Sequence, residues 1–303
     1  MSGIIFTLTS RWPQAITSTT QRWAAQSPAG AFACALGAIC TLGAICTLDI
    51  ALDRPYITTA AEAHSLIALY EAANLQPKPP FPGDNQIVRA NRMAAWFDTY
   101  KGKAAALACN EIDLSNKGLT TLPREIGLFR NLTTLYLNHN QLQTLPPTIG
   151  NLTYLQHLCL QHNHLQTLPS TIGNLTHLQN LWLAYNQLQT LPQTIGNLIN
   201  LSNLWLENNQ LQALPQTIGN LTHLQSLSLQ DNQLQALPPT IGNLTNLQSL
   251  SLQDNHLEEI PAESFERLLL QHCHIYTQNN PLKLDAIREI PADLRRGLHW
   301  HEI

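Results

Sequence analysis

A 23-residue pattern is written six times between residues 132 and 261, and it constrains the fold more than any other feature. The pattern is Leu-x-x-Leu-x-Leu-x-x-Asn-x-Leu-x-x-Leu-Pro-x-x-Ile-Gly. Its copies begin at Leu132, Leu155, Leu178, Leu201, Leu224 and Leu247. A fixed period of this length is the signature of a solenoid, because one such unit cannot bury its apolar face without its neighbours.

Each copy predicts one strand followed by two changes of chain direction. Leu135 and Leu137 alternate with variable residues, which is the period of a short strand. Asn140 follows the strand, where its side chain can satisfy backbone groups of adjacent coils. Pro146 then ends the strand because it has no N–H to donate. The segment from Thr148 to Gly150 predicts a short turn on the convex side.

The pattern resembles the leucine-rich repeats, in the 23-residue class that carries Leu-Pro-x-x-Ile-Gly. It is similar to the repeats of bacterial leucine-rich-repeat proteins, some of them effector-like, and of Ras-pathway scaffold proteins. The resemblance implies an α/β solenoid with a parallel concave sheet, short convex turns and a protein-binding role. A Ras-pathway-like signalling partner is implied only by this analogy.

Imperfect coils and a helical cap are predicted around the six full repeats. One degenerate coil runs from Ile112 to Gly127, and another follows Pro261 around Ile275, so we assign 109–291 to the solenoid and 292–303 to a C-terminal tail. An open solenoid exposes leucines and a strand edge at each end. Residues 54–108 therefore predict an N-terminal α-helical cap. Its helices start after Thr58 and at residue 85, with a break at 101–103.

The N-terminal segment 1–53 contains an uncharged stretch at 29–48. Twenty helical residues span about 30 Å, the thickness of a bilayer's hydrocarbon core. Arg11 and Arg22 before the stretch and Asp49 after it fit an anchor whose N-terminus stays inside. The alternative is a buried, alanine-rich helix of a water-soluble cap.

Composition and motifs argue against nucleic-acid binding and catalysis. The formal net charge is −4, and no Lys or Arg occurs between Arg130 and Arg267, so the solenoid lacks a basic surface for nucleic acid. Phosphate loops, kinase motifs and Gly-x-Ser-x-Gly are absent from the sequence. The six cysteines lack metal-ligand spacing, which favours reduced core thiols and a cytoplasmic protein, or one secreted into a host cell. We predict no enzymatic activity and no cofactor.

The variable strand positions predict where a partner binds. Equivalent residues of parallel strands stack about 4.8 Å apart in columns across the sheet. One column reads Tyr136, Cys159, Trp182, Trp205, Ser228, Ser251. From this and the flanking columns, the predicted partner-binding residues are Tyr136, His139, His157, His162, Trp182, Tyr185, Trp205 and Glu207. Exposed aromatic side chains with polar neighbours are typical of binding hot spots.

Competing interpretations concern the same residues. Trp182 and Trp205 could stack on each other without any ligand. His139 and His162, or His272 and His274 together with His299 and His301, could bind a transition metal, but solvated histidines are commoner and we assign no metal. We therefore predict a monomeric, non-catalytic module that binds a protein partner. The alternatives are a membrane-anchored recognition protein and a substrate adaptor of a ubiquitin ligase.

Overall fold

A computed structural model describes residues 57–75 and 86–300. Within these ranges, nine parallel strands form one sheet in chain order, from β1 to β9. The strands are β1 (Glu111–Asp113), β2 (Thr134–Tyr136), β3 (His157–Cys159), β4 (Asn180–Trp182), β5 (Asn203–Trp205), β6 (Ser226–Ser228), β7 (Ser249–Ser251), β8 (His274–Tyr276) and β9 (Leu298–His299). Neighbouring coils pair in register 23 residues apart through the six full repeats. The predicted solenoid is confirmed.

Helices lie before the first strand and between the strands. The α-helices are α1 (Ala60–Ala72), α2 (Gln86–Asp98), α3 (Tyr100–Leu107), α4 (Ala262–Leu270) and α5 (Leu284–Arg288). The convex turns are 3-10 helices at Arg124–Leu128, Pro147–Asn151, Ser170–Asn174, Gln193–Asn197, Gln216–Asn220 and Pro239–Asn243, and a further one spans Leu294–Gly297. Each convex turn begins directly after the proline of Leu-Pro, as the sequence predicts.

The leucines and isoleucines of the repeat form one continuous core. In the coil of β4, Leu181, Leu183, Leu188 and Ile195 are all fully buried. Burying one such side chain stabilises the fold by about 1.5–3 kcal/mol. These side chains belong to one cluster that runs through all the coils, so a coil is stable only within the stack.

A buried asparagine joins each coil to the one before it. The Asn186 side-chain oxygen accepts a hydrogen bond from the Leu165 N–H at 3.0 Å. Its amide nitrogen donates to the carbonyls of Leu160 at 2.9 Å and Leu183 at 3.0 Å. The equivalent asparagines from Asn140 to Asn280 make the same contacts. The loop that follows each strand is thereby satisfied without a strand partner.

Glycine on the convex side permits the close spacing of the turns. A Cβ atom at Gly196 would lie 2.4 Å from the carbonyl oxygen of Thr217 in the next coil. The Thr217 hydroxyl in turn donates to the Gln193 carbonyl at 2.6 Å. The repeated Ile-Gly therefore reflects contact between coils as well as the end of the turn.

The helices α1 to α3 cover the first coil, which confirms the predicted helical cap. Thr59 and Glu62 form a capping box at the start of α1, as S/T-x-x-E does at many helix N-termini. Phe97 of α2 packs edge-on against Phe129 of the first coil, with ring centroids 5.9 Å apart. His64 Nε2 lies 2.9 Å from the carbonyl oxygen of Lys117, the residue that replaces the repeat asparagine. The cap thus bonds the backbone of the imperfect coil.

The break between α2 and α3 lies at Thr99, so its prediction at 101–103 was wrong. The Thr99 hydroxyl accepts a hydrogen bond from the Gly102 N–H at 3.1 Å and donates to the Trp96 carbonyl at 2.6 Å. Gly102 is retained inside α3 because a Cβ there would meet the backbone of Trp96 at 2.3 Å. The glycine serves helix packing and does not end the helix.

The C-terminal end extends the sheet further than the sequence indicated. β8 is the predicted degenerate strand after Pro261, and α4 replaces the 3-10 turn that would precede it. Part of the predicted tail 292–303 forms β9, in which Leu298 pairs with Ile275 and is buried. Because Arg295 and Arg296 lie close to Leu298 in the sequence, the pattern did not indicate a buried strand there.

The predicted membrane anchor at 29–48 lies outside the described residues. Among the helices of 57–75 and 86–300, none has both the length and the apolar character needed to cross a bilayer.

The asparagine contacts predict a stability effect. Replacing Asn186 by Ala leaves the buried Leu165 N–H and Leu160 carbonyl without partners, and we expect the free energy of unfolding to fall by about 2–4 kcal/mol. The control Gln189→Ala, at an exposed position in the same coil, is expected to change it by less than about 0.5 kcal/mol. Urea unfolding followed by circular dichroism measures both. Equal stability of the two variants would contradict the structural role of the asparagine.

Candidate partner-binding surface

The predicted aromatic column lies on the outward face of the sheet in the predicted register. Tyr136, Cys159, Trp182 and Trp205 are consecutive Cα partners across β2 to β5. The central leucine of each of these strands points into the core and is fully buried. We call the four half-buried residues Tyr136, His157, Trp182 and Trp205 the aromatic surface.

The two tryptophans are neighbours, but the prediction that their rings are exposed was wrong. Trp182 and Trp205 lie 5.2 Å apart between ring centroids, tilted by 49°, and both are half-buried. His157 stacks on the other side of Trp182 at 6.2 Å. The three rings of His157, Trp182 and Trp205 therefore partly shield one another, and each keeps part of its surface exposed to solvent.

Hydrogen bonds between side chains hold the aromatic surface in place. The Asn203 amide donates to the Asn180 side-chain oxygen at 2.7 Å, and the Asn180 amide lies 2.8 Å from His157 Nδ1. This chain spans β3 to β5 directly beside the aromatic column. Because these side chains are already bonded to one another, they act as a support for the rings.

A second row of rings follows the strands. His139 and His162 stack at 4.4 Å, and His162 and Tyr185 stack at 4.4 Å, with rings within about 11° of parallel. We call these three exposed residues the ring ladder. All three have left-handed backbone angles, with φ of 55° to 56°. That region suits Asn and Asp best, and later coils use Asn208 and Asp231 there.

Protonation of His162, the middle ring of the ladder, is disfavoured. Partial burial, and next the nearby His139, lower the pKa of His162 below its usual 6.5. A neutral His162 can stack between His139 and Tyr185 without charge repulsion. The lowered pKa therefore favours the uncharged form of the central ring of the ladder.

The thiols on and near the concave face are not activated. Burial, and then the carboxylate of Asp113, raise the pKa of Cys159 to about 12. Burial raises the pKa of Cys273 to about 12 as well. A thiol at such a pKa is protonated at neutral pH and is neither a nucleophile nor a ready metal ligand. In the part of the chain that the structure describes, no three His, Cys, Asp or Glu side chains are placed to hold a metal ion.

Glu207 lies beside the tryptophans with an unsatisfied carboxylate. It is half-buried, and its Oε2 atom is shielded from solvent without a hydrogen-bond partner. The Trp182 Nε1 atom is shielded and unpartnered in the same way. Polar atoms removed from water without a partner are destabilising, and they are points where a ligand group gains most.

The structure also places aromatic residues on the concave face that sequence reasoning missed. Tyr276 of β8 and His299 of β9 stack at 4.4 Å and continue the column after Ser251. Allowing for the two inserted residues, a step of 25 from Ser251 would have found Tyr276. His274 lies 5.8 Å from His299 between ring centroids, while His301 lies outside the described residues.

A polar groove at the other end of the strands is a weaker candidate. It has a volume of about 420 Å³ and is lined by glutamine, asparagine, serine and histidine side chains. His177 Nδ1 lies 2.7 Å from the Thr153 carbonyl, and His223 Nδ1 lies 2.9 Å from that of Ile199. These groups bond the preceding coil and have a structural role.

Taken together, the register, the core and the outward columns define a solenoid that displays its variable residues on a concave sheet. The chain belongs to the leucine-rich-repeat family, since the family model described as a leucine-rich repeat region matches residues 111–192 and 186–283.

Two solved bacterial structures illustrate the likeness. A leucine-rich-repeat protein of Leptospira interrogans is 31% identical over 67% of this chain, with a TM-score of 0.51. This chain spans 57% of that protein's length. Internalin C2 of Listeria monocytogenes is 21% identical over 78% of this chain and 92% of its own, with a TM-score of 0.56, a likeness of fold alone. No match was found among curated proteins. The predicted resemblance to bacterial leucine-rich repeats is confirmed.

The ring ladder predicts a measurable pKa. We expect His162 to titrate below 6.5, and to shift upward toward 6.5 in His139→Asn, because the neighbouring imidazole is removed. The lowered pKa means that the contribution of His162 to stability is present above pH 6.5 and is lost as pH falls through the folded-state pKa. Titration of the imidazole proton by NMR measures it. The control His164→Asn, at an exposed position, leaves the value unchanged, and a His162 pKa above 6.5 in the parent protein would contradict the analysis.

The buried thiols predict slow chemical modification. In the folded protein at pH 8, we expect alkylation of Cys159 and Cys273 to be on the order of a hundredfold slower than in urea, because both the thiolate fraction and access are small. Mass spectrometry of the peptides that contain each residue gives the rates. Rapid labelling of Cys159 or Cys273 in the folded state would reveal an activated thiol.

Proposed function

We propose that this chain is a non-catalytic protein-interaction module that holds a segment of a partner protein on the aromatic surface. The observation that carries the proposal is the pair Trp182 and Trp205, which lie side by side on the solvent face of the sheet. Tryptophan is enriched at the energetic centres of protein interfaces. The proposed contact residues are those of the aromatic surface and the ring ladder together with Glu207.

The rings are not needed to build the coil. In β6 and β7 the positions of Trp182 and Trp205 are occupied by Ser228 and Ser251, and these strands keep the same register and buried leucines. A coil of this repeat is therefore complete with a small polar residue at that position. The aromatic residues add a surface property to a scaffold that does not require them.

The chemistry of the concave face supports binding without catalysis. Its thiols are protonated, and the histidines of the ring ladder are stacked on rings instead of paired with a nucleophile. Within the bacterial setting of the similar structures, we place the module as an effector or signalling scaffold that works as a monomer, in the cytoplasm or after secretion into a host cell.

Paired affinity captures test the proposal. The full chain and its Trp182→Ala/Trp205→Ala variant serve as baits, after circular dichroism shows that both are folded. The matched control is Tyr154→Ala/Ile199→Ala, which removes two exposed apolar side chains outside the concave columns. We expect a captured protein to be retained by the control and weakened at least about tenfold by the tryptophan variant.

The captures distinguish the aromatic surface from other faces. A partner held equally by all three baits would contradict the proposal and move binding to the cap or the convex side. Loss from the control alone would place binding at the strand entrances around Tyr154 and Ile199.

A further inference from the structure

We propose that the aromatic surface takes an arginine-bearing segment, whose guanidinium group lies against Trp182 and Trp205 and pairs with Glu207. This inference rests on the proposed function and specifies the chemistry of the partner. It combines three features of one patch: hydrogen-bond acceptors without donors, a small neighbour that gives the carboxylate no donor, and the charge of the concave face.

Hydrogen-bond acceptors without donors recur along one column of the concave face. The column stands two residues after the aromatic column, so Glu207 follows Trp205 on the same face of its coil. Four of its oxygens are shielded from solvent and have no hydrogen-bond partner: Gln161 Oε1, Glu207 Oε2, Gln253 Oε1 and Gln278 Oε1. A carboxylate has no donor in either orientation, so Glu207 cannot be satisfied by turning its end group. A ligand that satisfies these oxygens must supply hydrogen-bond donors.

The residue beside Glu207 in the preceding coil is small and buried. Tyr185 N–H bonds the Glu207 carbonyl at 2.9 Å, which places Ala184 next to Glu207 in the adjacent coil. Other coils hold an amide side chain at that position, as in Gln161 and Gln230. The methyl group of Ala184 supplies no donor and little bulk. On the other side, Gln230 is bonded to the Ser228 hydroxyl at 2.7 Å.

The concave face has negative charge without positive charge of its own. Glu207, Asp231 and Asp254 lie on it, and Glu111 and Asp113 continue its columns at the first strand. No Lys or Arg occurs between Arg130 and Arg267. Solvent counterions balance these carboxylates in the free protein, and a basic segment can replace them, because the negative field attracts it before contact.

Arginine fits this patch better than other donors do. Its planar guanidinium stacks on tryptophan faces and presents a fork of donors to a carboxylate. A lysine ammonium would pair with Glu207 but would lack the planar match to the rings. A polyhydroxylated ligand would need free amides, and Asn180, Asn203 and His157 are already bonded to one another.

Peptide binding by the full-length protein tests the proposal. The probe is a fluorescently labelled acetyl-(Gly-Arg)4-amide, and its citrulline counterpart keeps the shape and removes the charge. Fluorescence anisotropy at low salt gives Kd for each. We expect the arginine peptide to bind at least about tenfold more tightly than the citrulline peptide.

Two substitutions locate the contact. Glu207→Gln removes the carboxylate charge. Ala184→Gln introduces beside Glu207 the side chain that other coils carry, which gives Glu207 a donor. Each is expected to weaken binding of the arginine peptide at least about tenfold. The matched control is Glu263→Gln, which changes the same charge on an exposed carboxylate of α4 and should leave Kd within about twofold.

The results separate this inference from the proposed function. The inference is overturned if the parent protein does not bind the arginine peptide, if the citrulline peptide binds as tightly, or if Glu207→Gln and Ala184→Gln behave like Glu263→Gln. A captured partner that is lost with Trp182→Ala/Trp205→Ala but retained by Glu207→Gln and Ala184→Gln would overturn the arginine contact and leave the interaction module standing.

Discussion

The stack of coils depends on the buried asparagine that bonds each loop to the coil before it. Leucine burial supplies most of the driving force, but it does not fix the spacing of the coils, because apolar contacts have no direction. The side chain of Asn186 contacts backbone groups at Leu160, Leu165 and Leu183, so two coils must be in register for it to be satisfied. The directional bond and the non-directional core together define the repeat.

Because the strands are paired in a fixed register, substitutions at one outward position of neighbouring coils form a surface. Since every strand places its outward residue directly beside those of its neighbours, a ring in one coil meets a ring in the next without further design. Trp182 and Trp205 contact each other for this reason, as do His139, His162 and Tyr185. A repeat protein can therefore acquire a binding patch by changing positions that contribute little to its core. The helical cap serves the same architecture, since Phe97 and His64 contact the first coil that the structure describes.

The sequence predicted the repeating elements closely and their interruptions less well. Leucine spacing, the asparagine and Leu-Pro are each tied to one local requirement, so counting from Leu132 located all six full coils. The break at Thr99 is set by a local cap, since the Thr99 hydroxyl bonds the Gly102 N–H, but the glycine beside it hid this start. The strand at Leu298 depends on pairing with Ile275, which is distant in the chain. A glycine ends helices in many sequences, whereas Gly102 lies within one because Trp96 packs against it.

For the candidate surface, the sequence by itself determined which residues share a face and which are neighbours, because period 2 and a 23-residue repeat fix the columns. Only the tertiary structure decided how open those side chains are. It half-buries Trp182 and leaves one oxygen of Glu207 without a donor. The exposure of a side chain on the sheet depends on the size and rotamer of its neighbours in adjacent coils. Packing between coils therefore decides it, and position along the chain does not.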